Sequence, residues 1–143
     1  MSDPVATQMI NNDMYAVPAP DMLCVGPKGA HHTDIVRLLT DSTDDVEIKR
    51  GTLLMSGTVA TESGYVVATE AGLATDVAFV ILADDVTMNS GQHADIAAYF
   101  EGDFNENAVI FDWETENDDH AEIVEAAREP LRKQKIFLRE VTK

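Results

Sequence analysis

The chain has 143 residues, enough for one domain with an appended arm, and its 45% hydrophobic and 25% charged residues are typical of a globular protein. Its 26 Asp and Glu residues against 10 Lys and Arg residues give a formal net charge of −16, which argues against direct binding to nucleic acid or to an anionic membrane. The sequence shows no apolar run of the roughly 20 residues that span a membrane and no secretory leader, and the single Cys24 excludes an intramolecular disulfide.

The N-terminal residues 1–30 differ in composition from the rest of the chain. They are mostly polar or small, Val17–Pro20 favours extended backbone, and Gly26–Gly29 has the residues of a turn. Such a segment lacks the apolar side chains for a core of its own. We therefore divide the chain into an N-terminal arm and pre-domain segment, residues 1–45, and a β-rich domain, residues 46–143.

Short strand-like segments follow at close spacing. Asp34–Thr40 fits either a short helix or a strand, and Asp41–Asp45 has the composition of a loop. The predicted strands, in chain order, are Val46–Lys49, Thr52–Met55, Tyr65–Ala68, Val77–Ala83, Ile96–Phe100 and Ala108–Phe111. Val77–Ala83 is the most apolar run and predicts a central strand. A turn is predicted at Asn89–Gly91, and Gly102 is expected to end the strand that precedes it.

One helix is predicted near the C-terminus, because apolar residues there recur at helical spacing. The residues on its apolar face are Ile123, Val124, Ala127 and Leu131. Asn117 or Asp118 is expected to cap its N-terminus, and Pro130 to kink or divide it after Glu129. A closing strand follows at Ile136–Leu138.

These elements together predict an α+β fold that is mainly β. We expect a small β-barrel or sandwich-like domain of short strands, with one C-terminal helix and an extended N-terminal arm.

The charge is unevenly distributed along the chain. Between Gly51 and Ala127 there are 16 acidic residues and no Lys or Arg, whereas six of the ten basic residues lie between Arg128 and Lys143. The central segment therefore cannot neutralise its own charge, and copies of the chain repel one another. A solvated acidic surface explains this pattern, as does adaptation to salt, since the chain has only five Lys. The functional interpretation is a positively charged partner surface.

The sequence lacks the motifs of common enzyme families. Its glycines are scattered, with no phosphate-binding loop, and it has no Gly-x-Ser-x-Gly nucleophile motif. Cys24 has no base beside it, so we interpret it as a bystander thiol and not as a nucleophile. We predict no catalytic or cofactor-binding residues, no cofactor, and no enzymatic activity.

The histidines are also weak candidates for a metal site. His31, His32 and Asp34 are suitable ligand types, but adjacent residues of a strand point to opposite faces, so the two histidines would seldom bind one ion together. His93 and His120 are isolated in the sequence. We interpret His31 and His32 as part of a surface loop, and the other two as exposed side chains.

Two acidic segments resemble sites without meeting their requirements. The run Asp112–Asp119 would attract Ca²⁺ or Mg²⁺, but it lacks the central Gly and final Glu of a calcium-binding loop, so we interpret its acids as residues at the start of a helix. Asp84 and Asp85 are interpreted as a turn, because sequence neighbours usually diverge. The single Trp113, together with Phe111, is interpreted as core or interface. No metal site is predicted.

Several stretches in the domain carry a resemblance to a known family. They are Lys49–Leu54, Val80–Val86, Ala97–Asn105 followed by Ala108–Ile110, and Gln134–Leu138. Their order and spacing resemble the bacteriophage lambda-type head decoration proteins, over about residues 46–140 of this chain.

The resemblance implies a small, mostly β domain that forms a homotrimer. Members of that family bind the major capsid protein on the outside of the mature head and stabilise the shell against the pressure of packaged DNA, and their N-terminal arm orders on the capsid. The resemblance thus implies a virion protein made in the host cytoplasm, with no direct contact to nucleic acid or membrane. This chain departs from the family in its longer segment 1–45 and its stronger negative charge.

We therefore expect Met1–Gly29 to dock on the shell, and residues 46–140 to form the trimer body, in which symmetry multiplies weak contacts. Three alternatives stay open. The acidic centre of the chain could act as a DNA mimic or inhibitor that occupies the basic groove of another protein. The chain could instead be another virion or assembly protein, or a small enzyme of unrecognised type, which would need a pocket with convergent polar groups.

Overall fold

The computed structural model describes residues 22–26, 31–89 and 93–141 of the chain. The strands in these ranges are β1 (Cys24–Val25), β2 (His32–Leu39), β3 (Val46–Ile48), β4 (Leu53–Val59), β5 (Glu62–Val67), β6 (Phe79–Leu82), β7 (Val86–Met88), β8 (His93–Asn105) and β9 (Ile136–Arg139). A 3₁₀-helix covers Glu70–Ala74 and one α-helix, α1, covers His120–Arg132. The prediction of a mainly β fold with one helix near the C-terminus is confirmed.

Seven of these strands form one sheet, and β3 and β7 pair separately. In the larger sheet the order is β1-β8-β2-β5-β4-β6, β9 pairs with β8, and β6 pairs again with β8. The pairings thus form a circuit through β8, β2, β5, β4 and β6. Between β2 and β5 the circuit depends on a single parallel pair, Leu38 with Tyr65.

Strand β6 shows how the sheet separates two hydrophobic cores. Its side chains alternate, so that Phe79 and Ile81 pack on the side of α1 while Val80 and Leu82 pack on the opposite side, and all four are buried. The helix-side core contains Leu23, Leu53, Ala68, Phe79, Ile81, Phe104, Val109, Phe111, Val124, Ala127, Leu131, Ile136 and Leu138. The second core contains Val36, Leu38, Ile48, Leu54, Val80, Leu82, Met88 and Ala98. Full burial of each large apolar side chain contributes about 1.5–3 kcal/mol.

The long strand β8 connects the two parts of the sheet. Its first part pairs with β2, and its last part lies between β1 and β9. Gly102 lies where the pairing of β8 changes from β2 to β1 and β9. Its φ is +141°, and a Cβ there would collide with the imidazole ring of His31. The prediction that Gly102 ends the strand is therefore wrong, because the glycine lets the strand continue past a ring packed against its backbone.

The turn before β4 depends on Gly51, which has a φ of +96°. Its N–H donates to the carbonyl of Leu82 (2.8 Å), and its carbonyl accepts from the N–H of Ile110 (2.9 Å). A Cβ on this residue would lie 2.8 Å from the carbonyl oxygen of Ala108. We expect Gly51→Ala to lower the free energy of unfolding by about 2–4 kcal/mol, measured by urea unfolding.

The matched control for this substitution is Gly26→Ala. Gly26 also has a positive φ, +91°, but the nearest atom to an added Cβ is 3.9 Å away. Its substitution is expected to cost only the backbone strain, about 1–2 kcal/mol. Equal losses in the two variants would show that the collision with Ala108 does not contribute.

The N-terminus of α1 is capped by Asp119, whose carboxylate accepts from the N–H of Ala121 (3.0 Å). The prediction of Asn117 or Asp118 as the cap is wrong. Asp118 instead accepts from the backbone N–H of Thr115 (2.8 Å) and closes the preceding turn.

The helix also continues through Pro130 to Arg132, so the predicted division after Glu129 is wrong. The predicted kink at Pro130 stays a prediction. The proline lies in the last turn of α1, so only two helical residues follow it. The next residue, Leu131, is fully buried in the helix-side core, and its burial favours a continuous helix.

Most predicted strands are confirmed to within a few residues, including the closing strand. Asp34–Thr40, which fitted either a helix or a strand, lies largely in β2. Ala108–Phe111 is not a strand, because only Ile110 forms a bridge, with Thr52. Strand β7 was not predicted, and the predicted turn at Asn89–Gly91 falls mostly outside the described residues.

Part of the segment assigned to the arm takes part in the larger sheet. Both β1 and β2 pair with β8, and β2 does so along its whole length, from His32 to Leu39. The structure thus places residues 32–39 inside the sheet. Residues 1–21 of the predicted arm lie outside the described residues.

Candidate interaction site

The arm joins the domain at β1, the first strand in the order of the larger sheet. Leu23 is fully buried in the helix-side core, and its carbonyl accepts from the N–H of Asn105 (2.8 Å). The next two residues pair antiparallel with Phe104 and Asp103. A buried side chain next to paired strand residues fixes this point of the chain. We call Met22–Gly26 the arm root, since any contact made by residues 1–21 is tethered there.

A polar cluster around Arg50 lies beside the arm root. The guanidinium donates to the carbonyl of Ala83 (2.6 Å) and to the hydroxyl of Tyr99 (2.9 Å), and the Sγ of Cys24 lies 3.8 Å from it. The backbone N–H of Arg50 donates to the carboxylate of Asp85 (2.7 Å). These contacts connect β1, the turn before β4, the end of β6 and the middle of β8.

The titration of Tyr99 limits what this cluster does chemically. Burial raises the pKa of its phenol and a hydrogen bond with Cys24 adds to the increase, while Arg50 opposes it. The phenol therefore stays protonated at neutral pH. The guanidinium also holds its protons, so neither neighbour of the thiol accepts a proton from it. The described contacts of the cluster hold separate elements of the fold together.

The histidines and Asp34 do not converge on one point. The His31 ring packs edge-on against Phe104, with a centroid distance of 5.2 Å, and its Nε2 lies 2.6 Å from the carbonyl oxygen of Asp103. His32 is exposed, with its Nδ1 3.6 Å from a carboxylate oxygen of Glu101. The carboxylate of Asp34 accepts from the N–H of the next residue (2.7 Å).

Three large apolar side chains are exposed among the described residues. They are Met22 (58%), Ile35 (62%) and Ile110 (40%). Met22 belongs to the arm root, and Ile35 pairs with Ala97 on the outside of β2 and β8.

His120 is clamped at the start of α1. Its Nδ1 lies 2.8 Å from a carboxylate oxygen of Glu114, its Nε2 lies 2.9 Å from the carbonyl oxygen of Glu106, and its ring packs near Phe111. Burial lowers the pKa of the imidazole, but the contacts with Glu106 and Glu114 outweigh burial and raise it above its ordinary value. The interpretation of His120 as an exposed side chain is wrong, since it is half-buried and holds two segments together.

We expect the stability of the protein to depend on pH through His120. Because its folded pKa is raised above 6.5, its contribution is complete below that pH and is lost as pH rises through the folded value. The free energy of unfolding of the wild-type protein is expected to fall between about pH 6 and pH 8. That of His120→Gln should fall less over the same range.

The same variant should lose about 1 kcal/mol at the acidic end of that range, because a charge-assisted hydrogen bond is removed. Urea unfolding at a series of pH values measures both effects, with His93→Gln, an exposed histidine, as the control. An unchanged pH dependence in His120→Gln would contradict the assignment.

The acidic run Asp112–Asp119 forms turns before α1, and several of its carboxylates have local structural partners. Among the described residues, no three His, Cys, Asp or Glu side chains gather where they could hold a metal ion. Trp113 is half-buried and packs against Phe111, with ring centroids 5.3 Å apart, at the helix-side core. Asp84 is exposed, whereas its neighbour Asp85 accepts the hydrogen bond from Arg50.

The sequence interpretation missed the cluster around Arg50. Arg50 contacts residues up to 49 positions away in the chain. The only local signal was the position of Arg50 directly before Gly51, between two predicted strands.

Comparison of the chain with protein families finds no family that matches, and comparison with curated proteins finds no matching sequence. The resemblance to the head decoration proteins therefore stays a prediction. In the part of the chain that the structure describes, no helix combines the length and the apolar character needed to cross a bilayer.

Proposed function

We propose that the protein is a capsid decoration protein, which binds the outside of a mature phage head as a trimer and stabilises the shell against internal DNA pressure. The observation that carries the proposal is that the stretches bearing the resemblance are neighbours in space. Leu53 pairs with Ile81, and Ile81 pairs in turn with Tyr99. Gly102 pairs with Ile136 in the closing strand. Segments scattered over about 90 residues thus form one continuous body, as a shared fold requires.

The arm root supports a role for residues 1–21 in docking. Because Leu23 holds the end of the arm in the core, a domain already seated on a shell keeps the arm at high local concentration. An extended arm would offer main-chain groups to the edge of a sheet in the capsid, which places little demand on sequence. Three arms on one trimer would bind together where none binds well alone.

We further propose that the circuit of pairings makes a small barrel around the second core. Leu54, Val80 and Ala98 come from three different strands of the circuit and are fully buried in that core. The separate sheet of β3 and β7 contributes Ile48 and Met88 to the same core. A compact, edge-poor body suits a protein that stands on an outer surface at high copy number.

Two measurements test the proposed function. Light scattering in solution should give a molar mass three times the 15.6 kDa of the chain. The protein should co-sediment with empty expanded heads of its phage and not with unexpanded ones, which serve as the control. A protein that sediments with neither form at saturating concentration would overturn the proposal.

An acidic mimic is the second candidate, and one observation favours it. Among the described residues, no Lys or Arg nitrogen lies within 4.0 Å of the carboxylates of Asp112, Glu116 or Glu122. These carboxylates are available to a basic groove. Salt-sensitive binding to a DNA-binding protein, together with no binding to heads, would favour the mimic over the decoration protein.

A further inference from the structure

Two grooves run along α1, one on each side of Leu73 in the 3₁₀-helix. The groove at the N-terminal half of the helix has a volume of about 290 Å³, and we call it the acidic groove. Its apolar lining includes Leu73, Trp113 and Ile123, which pack against the helix-side core. Its acidic lining consists of Glu70, Asp118, Asp119 and Glu122. An apolar floor with a rim of one charge suits a cationic side chain that has an aliphatic stem.

The carboxylates of the acidic groove have no basic partner in the part of the chain that the structure describes. No Lys or Arg nitrogen of the described residues lies within 4.0 Å of any of them. Asp119 is used as the helix cap, and Asp118 holds a turn, but Glu70 and Glu122 are exposed. The groove therefore carries concentrated negative charge over an apolar surface.

The other end of α1 carries the complementary charge. Lys133 and Lys135 are exposed, and no carboxylate of the described residues lies within 4.0 Å of either ammonium group. Lys133 influences Glu129 only at longer range. The remaining described basic residues all take part in ion pairs or hydrogen bonds: Arg37, Lys49, Arg50, Arg128, Arg132 and Arg139.

Lys133 also lines the second groove, which has a volume of about 550 Å³, apolar contributions from Val77, Phe79 and Pro130, and one acidic residue, Asp76. We call Lys133 and Lys135, together with this surface, the basic end. Lys133 lies 11 residues after Glu122, which places these two charged residues about 16 Å apart along the helix axis. One copy cannot satisfy its own groove with its own basic end across that distance.

We propose that the basic end of one copy binds in the acidic groove of the next, and that three such head-to-tail contacts close into the trimer. This inference rests on the proposed function for the number of copies. A chain with a net charge of −16 repels its own copies, and a contact that brings opposite charges together offsets this repulsion locally. A contact between two different surfaces closes into a ring when its rotation fits the symmetry. Lysine stems covering Trp113 add apolar burial and a cation–π contact.

The test reverses the charges separately and then together. Lys133→Glu with Lys135→Glu, and in a second protein Glu70→Lys with Glu122→Lys, should each raise the concentration at which trimers dissociate by about tenfold or more. The protein that carries all four substitutions should regain trimers, because its reversed basic end fits its reversed groove. Light scattering over a dilution series measures each state.

Mixing the two doubly substituted proteins gives a further, distinctive result. Each binds the other in both directions, but strict alternation cannot close a ring of three, so mixing should not restore closed trimers. Lys49→Glu, an exposed lysine paired with Glu47 away from α1, is the control and should leave the trimer unchanged. Far-UV circular dichroism and urea unfolding verify that every variant is folded.

The outcomes separate this inference from the proposed function. If the wild-type protein is a trimer and the reversals leave it intact, or if the fourfold variant stays dissociated, the head-to-tail contact is wrong and the decoration function stands. If the wild-type protein is a monomer at every concentration, the trimer is wrong in both proposals. Co-sedimentation with expanded heads then decides the function independently.

Discussion

Deletion of residues 2–20 is expected to abolish binding to capsid heads while leaving the trimer intact. The deleted segment is the proposed docking arm, and the deletion stops before the arm root, which is anchored by the burial of Leu23 and the strand pairing of Cys24 and Val25. The domain therefore keeps its whole described core. The three arms of one trimer bind the shell together, so the deletion removes three linked contacts at once. We expect the apparent affinity for heads to fall by about 10²-fold or more.

Co-sedimentation with expanded heads measures the effect of the deletion, with the full chain at the same concentration as the control. Light scattering of the truncated protein verifies that the trimer persists. If the truncated protein still saturates the heads at full occupancy, the arm has no docking role, and the domain surface alone must bind the shell.

Phe104→Ala is expected to lower the free energy of unfolding by about 3–5 kcal/mol, the largest loss that we predict for a single substitution. The side chain is fully buried, and its ring packs near those of His31 and Tyr99, at centroid distances of 5.2 and 5.4 Å. Its backbone lies between Cys24 of β1 and Leu138 of β9. The cavity would open where both edge strands join β8.

Urea unfolding gives this free energy, and Ile35→Ala is the matched control. Ile35 is also an apolar residue on a strand of the same sheet, but it is 62% exposed, so its substitution should cost about 0.5 kcal/mol or less. Similar losses in the two variants would contradict the assignment of Phe104 to the core.

The sequence predicted those strands whose side chains alternate or whose whole run is apolar. Val80 and Leu82 point into one core, and Phe79 and Ile81 into the other, so a strand buried on both faces appears in the sequence as a continuous apolar run. Ala108–Phe111 has the same local appearance, yet it buries Val109 and Phe111 in the helix-side core with only one bridge. The local pattern of apolar residues indicates which segments are buried, but it does not indicate which backbone groups form hydrogen bonds.

The errors around α1 have a similar cause. Both Asp118 and Asp119 are suitable caps, and the choice depends on Thr115, which engages the first of them. Pro130 was expected to break the helix, but the burial of Leu131 after it depends on the tertiary core. Where two local structures are equally compatible with the sequence, tertiary contacts with distant residues decide which one forms.

Of the candidate surfaces, only the charge could be predicted from the sequence. The absence of Lys and Arg from the centre of the chain indicated carboxylates without local partners, and the acidic groove has that character. The sequence predicted Lys133 at the far end of the helix, but it did not indicate that Trp113 and Ile123 would form the floor of the groove. The contact of Arg50 with Tyr99 likewise joins distant parts of the chain.

We propose that the protein strengthens a viral shell, and the heat stability of DNA-filled heads gives the sharpest check of this function. Mature heads without a decoration protein are saturated with the purified protein and heated, and DNA release is followed with a fluorescent dye. We expect saturated heads to release their DNA at a higher temperature than bare heads, and the release temperature to rise with the fraction of sites occupied. Heads that bind the protein fully yet release DNA at the same temperature as bare heads would contradict it.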